Sequence, residues 1–383
     1  LNRPFLIAQI SDLHLKADGR LTYGVVDTLG ALRRAVEHIN ASKQRPDIVV
    51  ISGDLVDFGR EDEYAVLKPE LERLHMPFYL VPGNHDDRHN LLAAFAEQVY
   101  LPLSASGPLD WVVEKYPVRL IGMDTTIPGE HGGRLDYCQL DWLHAQLSRR
   151  PYVPTVIILH HPPFITGIGH MDREPFGNAS ALERVIAQHP QVERLLCGHL
   201  HRPMQRRFGG SVASICPGTS HQIVLDLDEA APAHFNLEPA GYVLHRWHSE
   251  QGFVSHNAVF GGYEGPYPFY DVNGLIDCSL AIAPTLCARR DTQVLMSPES
   301  GARRAVSGGV KILVGVSLLT KTVFQSMHFR RSYSPLREQV RSHGLRPESI
   351  ADLYITMSDL RPLPDCRSGA DNAAIFAGND NHR

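Results

Sequence analysis

The chain has 383 residues, 43% of them hydrophobic and 21% charged, with a formal net charge of -5. That length holds one large domain or two ordinary ones and buries a sizeable core, while so mild a charge argues against a dedicated nucleic-acid binder, which carries a basic face. No uninterrupted run of about 18 apolar residues is present; the nearest stretch, 310–324, contains Lys311 and Lys321 and reads as soluble.

In chain order, FLIAQI at 5–10 reads as a strand. Four residues precede it, which leaves no room for a secretory leader, and a start at Leu1 suggests a trimmed N-terminus. Val25, Leu29, Leu32, Val36 and Ile39 recur at spacings of three and four and predict a helix over 25–39. DIVVIS at 47–52 is the next strand. Tyr64, Leu67, Leu71 and Leu74 predict a helix over 61–74, and 77–81 and 118–123 are strands. A helix over 137–147 carries Leu140, Leu143 and Leu147; strands follow at 155–159 and 192–197, and 241–259 reads as a closing hairpin. Strands alternating with helices predict an α/β architecture.

The composition changes near residue 273. Residues 274–383 hold 14 Lys and Arg against 10 Asp and Glu, whereas residues 1–273 hold 23 against 32. Of 21 histidines, 18 lie in the first part. The expected organisation is a catalytic domain over 1–273 and a C-terminal extension over 274–383, poorly ordered or of unknown role. Six scattered cysteines form no CxxC pair, which fits reduced thiols and a cytoplasmic chain.

Five short motifs each follow a strand directly. They are SDLH with Asp12 and His14, GDLVD with Asp54, PGNHD with Asn84, His85 and Asp86, HHPP with His160 and His161, and GHLH with His199 and His201. In α/β sheets, ligand sites gather in the crevice beyond the carboxyl ends of the strands. Imidazole nitrogens with carboxylate and amide oxygens suit divalent first-row metals, and one carboxylate can bridge two ions. Two such ions neutralise charge on a phosphoryl group and lower the pKa of water toward ~7. Taken singly, Asp12, Asp54 and Asn84 could be turn caps; it is the five motifs together that argue for ligation. Spacing does not decide between His160 and His161. His199 and His201 point the same way if the backbone between them is extended. Asp57 reads as a loop-ordering residue. His170, in the loop 164–178, reads as exposed, although that loop could line a substrate pocket.

The motif order resembles that of the calcineurin-like metallophosphoesterases. LTYGVVDTLGAL, QRPDIVVISGDLVDFGREDEY, YLVPGNHDD, HHPPF, CGHLH and PGTSHQ look like the bacterial branch of that family containing glycerophosphodiesterases and class III cyclic-nucleotide phosphodiesterases. The resemblance covers about residues 5–273. It implies a four-layer αββα sandwich of two mixed sheets. It implies two divalent ions (manganese, iron, zinc or cobalt), with Asp12, His14 and His201 on one, Asn84, His160 and His199 on the other, and Asp54 bridging. It makes His85 the group that assists the leaving oxygen, Asp86 the residue that orients it, and His221 a second substrate contact. The expected activity is hydrolysis of small phosphodiesters, cyclic AMP or glycerophosphodiesters, by metal-bound hydroxide, with no stable nucleic-acid or membrane partner. A homo-oligomer formed through edge hairpins is left open. A phosphomonoester or protein phosphatase is the alternative; those relatives carry an Arg after GD-x-x-D and read GNHE, where this chain has Phe58 and GNHD. A non-catalytic metal-binding module is the third reading.

Overall fold

A computed structural model describes residues 3–272 and 274–275. The strands of the first unit are β1 (Phe5–Ile10), β2 (Ile48–Ser52), β3 (Phe78–Val81), β4 (Trp111–Val113), β5 (Arg119–Gly122), β6 (Thr155–Ile158) and β7 (Val192–Cys197). After them come β8 (Met204–Phe208), β9 (Ser211–Ile215), β10 (Gln222–Ile223), β11 (Phe235–Asn236), β12 (Gly241–His248) and β13 (Gly252–Val259). The helices are α1 (Thr28–Ala41), α2 (Glu61–Leu71), α3 (Arg88–Ala94), α4 (Tyr137–Arg149) and α5 (Ala179–Ala187).

Two mixed sheets carry the fold. One has the order β13-β12-β1-β2-β3 and the other β4-β5-β6-β7-β9-β8. In the first, β1, β2 and β3 run parallel while β12 and β13 join antiparallel on the other edge; in the second, β5, β6, β7 and β9 run parallel and the edge strands β4 and β8 are antiparallel. Alternation of side chains along the second sheet sets the layers. Leu120, Val156, Ile158 and Leu196 join the core shared with the first sheet, which also takes Leu32, Val36 and Ile39 of α1 and Leu67 and Leu71 of α2. Their chain neighbours Ile121, Ile157, Leu195 and Cys197 face Leu140 and Leu143 of α4 and Leu182 and Ile186 of α5. The result is the expected αββα order, each fully buried aliphatic side chain contributing about 1.5–3 kcal/mol. Gln9 ties the sheets together: its Nε2 donates to Ser52 Oγ and to the Cys197 carbonyl, each at 2.9 Å, and its Oε1 accepts from His245 Nε2 at 3.1 Å.

The helix predicted over 25–39 starts later, at Thr28, because Asp27 caps it by accepting from Gly30 N at 2.8 Å. Val25 lies in the preceding turn and is 60% exposed. Cys197 and Cys216 are free and buried. No helix among the described residues is long and apolar enough to cross a membrane.

The chain divides into two units, Leu1–Gly265 and Pro266–Arg383. In the second, β14 (Tyr270–Asp271) pairs antiparallel with β15 (Gly274–Leu275). The rest of the extension expected over 274–383 lies outside the described residues.

Candidate metal centre

The five motifs leave β1, β2, β3, β6 and β7 at their carboxyl ends and converge. The backbone there is unusual. Asp12, His14, Asp54, His199 and His201 all have left-handed φ, between 45° and 72°. Such φ costs an L-residue about 1–2 kcal/mol and is least rare for Asn, Asp and His. The expectation of an extended backbone at His199 and His201 is therefore corrected. Their rings part: His199 lies 5.1 Å from the His160 ring centroid, and His201 lies 4.9 Å from that of His14. Glycine is required where the loops press together. A Cβ on Gly53, whose φ is 92°, would collide with the His160 ring, and one on Gly83 would collide with Asp54.

Asp54 stands between two groups of imidazoles. Its Oδ2 is 3.5 Å from His14 Nε2 and 3.3 Å from His160 Nε2, and its Oδ1 accepts from His85 N at 2.9 Å. Burial pushes its carboxyl up, but His160, His85 and His14 outweigh that and hold it well below the usual carboxylate range. On one side, Asp12 Oδ1 is 3.5 Å from His201 Nε2 and accepts from His199 N at 2.9 Å. On the other, His160 Nε2 is 3.1 Å from Asn84 Oδ1.

Two of the outward ring nitrogens are already committed, and the third lies close to a carboxylate. His201 Nδ1 donates to the His221 carbonyl at 3.1 Å and His160 Nδ1 to the Ser52 carbonyl at 2.8 Å. His14 Nδ1 lies 3.3 Å from Asp57 Oδ1. Carbonyl oxygens only accept, so the two carbonyl bonds put a proton on Nδ1 of His201 and of His160 and leave their inward Nε2 atoms as the ligating nitrogens. His14 Nε2 and His201 Nε2 then face each other at 3.0 Å. Asp12 Oδ2 is buried with no hydrogen-bond partner. Converging lone pairs and an orphaned buried carboxylate oxygen call for positive charge between them. The donor atoms of Asp12, His14, Asp54 and His201 lie within 4.8 Å of one another, as do those of His160, His161 and His199. The residues fit divalent metal.

His161 is spent in the wall. Its Nε2 donates to the His131 carbonyl at 3.0 Å, and its Nδ1 accepts from Thr125 Oγ1 at 2.8 Å. Burial first, then the neighbouring His160, lowers it to about 3. Of the two, His160 is the residue turned toward Asp54.

Asp86 does not orient His85. It accepts from Tyr64 Oη at 2.8 Å, from Gly83 N at 2.8 Å and from Leu55 N at 3.1 Å, and so joins the loops after β2 and β3. The Asp57 carbonyl holds His85 instead, accepting from Nδ1 at 2.8 Å. Asp57 is the residue that sequence reasoning missed: besides His14, its carboxylate meets Lys16 Nζ at 3.1 Å. The signal was present as the last Asp of GDLVD.

A cavity of ≈ 580 Å³ opens over the cluster. Asp54, Asn84, His85 and His221 line it, together with His170 and Arg173 of the loop 164–178. His170, expected to be unremarkable, thus borders the site.

The family model described as calcineurin-like phosphoesterase matches residues 5–203. The chain is 39% identical over 274 residues to the probable glycerophosphodiester phosphodiesterase GpdQ of Arcobacter nitrofigilis, an alignment covering 71% of this chain and 100% of that one. It is 32% identical over 270 residues to the glycerophosphodiester phosphodiesterase GpdQ of Enterobacter lignolyticus, covering 70% and 95%. It is 33% identical over 221 residues to a cAMP/cGMP dual specificity phosphodiesterase of Mycobacterium tuberculosis, covering 57% and 68%. With the motifs, the two-sheet fold and the convergent donor cluster in agreement, the chain belongs to the calcineurin-like phosphoesterase family.

Proposed function

We propose that this protein hydrolyses small phosphodiesters, with Asp12, His14 and His201 holding one divalent ion, Asn84, His160 and His199 a second, and Asp54 shared between them. The observation that carries this reading is the position of Asp54 Oδ2, within 3.5 Å of His14 Nε2 and 3.3 Å of His160 Nε2, so that one carboxylate serves both groups. The relatives named for glycerophosphodiester and cyclic-nucleotide hydrolysis support it. Bound there, divalent ions supply charge to phosphoryl oxygens and make water a nucleophile at neutral pH.

The protein's own groups do the rest. His85 spends Nδ1–H on the Asp57 carbonyl, which leaves Nε2 to carry a proton toward the departing alkoxide. Asp57, whose Oδ1 lies 3.3 Å from His14 Nδ1, orients that ring. His221 holds His201 with its carbonyl and presents its ring to the cavity, where it contacts substrate. Phe58, exposed between Lys16 and Arg60, stands where phosphomonoesterases of this family carry an arginine. A diester monoanion needs less cationic help than a monoester dianion. Turnover of bis- and mono-(p-nitrophenyl) phosphate by manganese-reconstituted protein tests the reading. The diester is expected to be faster; a faster monoester rejects it.

A further inference from the structure

We propose that Tyr23 and Phe235 form the specificity-determining wall of the cavity, a platform on which the flat base of a nucleotide phosphodiester stacks. This rests on the phosphodiesterase reading above and says which alcohol arm the site prefers.

Both residues line the cavity that contains Asp54, Asn84 and His85. They come from distant segments, the turn before α1 and strand β11. Their ring centroids lie 4.9 Å apart at an interplanar angle of 34°. His221 stands nearly perpendicular to each, 5.5 Å from Tyr23 at 80° and 5.4 Å from Phe235 at 75°. The wall is therefore anchored to the same residue whose carbonyl fixes His201.

Tyr23 is held in an expensive conformation. Its φ is 51°, in the left-handed region, which is rare for a bulky side chain. The surrounding turn enforces it. Thr22 and Val26 exchange backbone hydrogen bonds at 2.9 Å, Gly24 N donates to the Leu21 carbonyl at 3.3 Å, and Thr22 Oγ1 donates to the His14 carbonyl at 3.1 Å. That last bond ties the turn to the metal loop. Even so, Tyr23 remains 53% exposed, so the turn spends strain to keep a large ring face available rather than to fill a core.

The arrangement selects among ligand chemistries. Two rings 4.9 Å apart leave no slot for a third between them, since a sandwich needs about 7 Å, twice a ~3.5 Å contact. Nor do the two rings converge on a shared point as the walls of an ammonium cage do, since their planes lie within 34° of each other. What remains is a single open aromatic face, which suits one flat heteroaromatic ring. On that face the polyol arm of a glycerol diester would meet ring carbon and the Tyr23 hydroxyl, and would have to turn elsewhere in the cavity for other polar partners.

The test compares 3',5'-cyclic AMP with glycerophosphoethanolamine as substrates of the full-length manganese-loaded protein. Losing a base–aromatic stack weakens binding about tenfold. Tyr23→Leu and, separately, Phe235→Leu are expected to lower the kcat/KM ratio of cyclic AMP over glycerophosphoethanolamine about tenfold, through KM, while Tyr23→Phe keeps it. A ratio unchanged in both leucine variants overturns the proposal. If the wild-type protein turns over neither diester, calorimetric titration with adenosine 5'-monophosphate separates the two ideas. Binding that weakens about tenfold in Tyr23→Leu supports the platform and sinks the phosphodiesterase reading; equal binding or none overturns the platform as well.

Discussion

Tyr64 donates its hydroxyl to Asp86 Oδ1 across 2.8 Å, and Tyr64 Oη in turn accepts from Asp87 N at 3.2 Å. Helix α2 thereby grips the loop that carries Asn84 and His85. Tyr64 is 1% exposed, so removing the hydroxyl leaves buried partners unmet, at about 1–3 kcal/mol. Tyr64→Phe is expected to lower stability by that amount in urea unfolding and to reduce turnover several-fold through slack in the Asn84 loop. Wild-type stability in the variant would show that the bond contributes nothing.

Asp54→Ala removes the carboxylate shared by both groups of imidazoles. Metal content measured by plasma spectrometry should drop, with activity reduced by at least about 100-fold. Asp57→Asn acts one step out, on the orientation of His14, and should cost about 10–100-fold in metal affinity. Full metal content in Asp54→Ala would rule out a bridging role.

Chelation should expose the electrostatic conflict among Asp12, His14, His201 and Asp54. A ligand at 100 times its Kd adds about 2.7 kcal/mol to folding stability, so EDTA should lower the melting temperature by several degrees and manganese should restore it. A melting temperature indifferent to both would mean that no ion is held.

Asp110 offers a pH readout away from the centre. Burial pushes its carboxyl up to about 7, although Asp124 N and Gln139 Nε2 donate to it. The unfolded value is near 3.9, so the folded state binds the extra proton between these limits. Stability contributed by Asp110 is present at low pH and is lost as pH rises from about 4 to about 7, by on the order of 4 kcal/mol at most. Asp110→Asn cannot ionise. Denaturant unfolding at pH 4.5 and pH 7.5 should show the variant gaining on the wild type at the higher pH; a constant difference contradicts this.

Some boundaries were fully legible. Phe5–Ile10 and Val192–Cys197 match their predicted limits because each is an apolar run bounded by motif residues. Strand β4 escaped notice because it has three residues, and β8 because the exposed Gln205, Arg206 and Arg207 mask an edge strand. Helix α3 is only seven residues long, and its start is set by Asp87 accepting from His89 N and Asn90 N. The convergence of Asp12, Asp54, Asn84, His160 and His201 could be read in advance, since each follows a buried strand in one type of sheet.

The linear chain determined which donor atoms exist and that they emerge at one end of the strands, because that chemistry is local. Only the tertiary structure decided which atoms face one another. It chose His160 over His161 through the Ser52 carbonyl, sent His199 and His201 apart through left-handed backbone, assigned Asp86 to Tyr64, and brought Tyr23 to Phe235. These choices depend on partners distant in the chain, and no spacing within a motif encodes the direction of a hydrogen bond to a remote carbonyl.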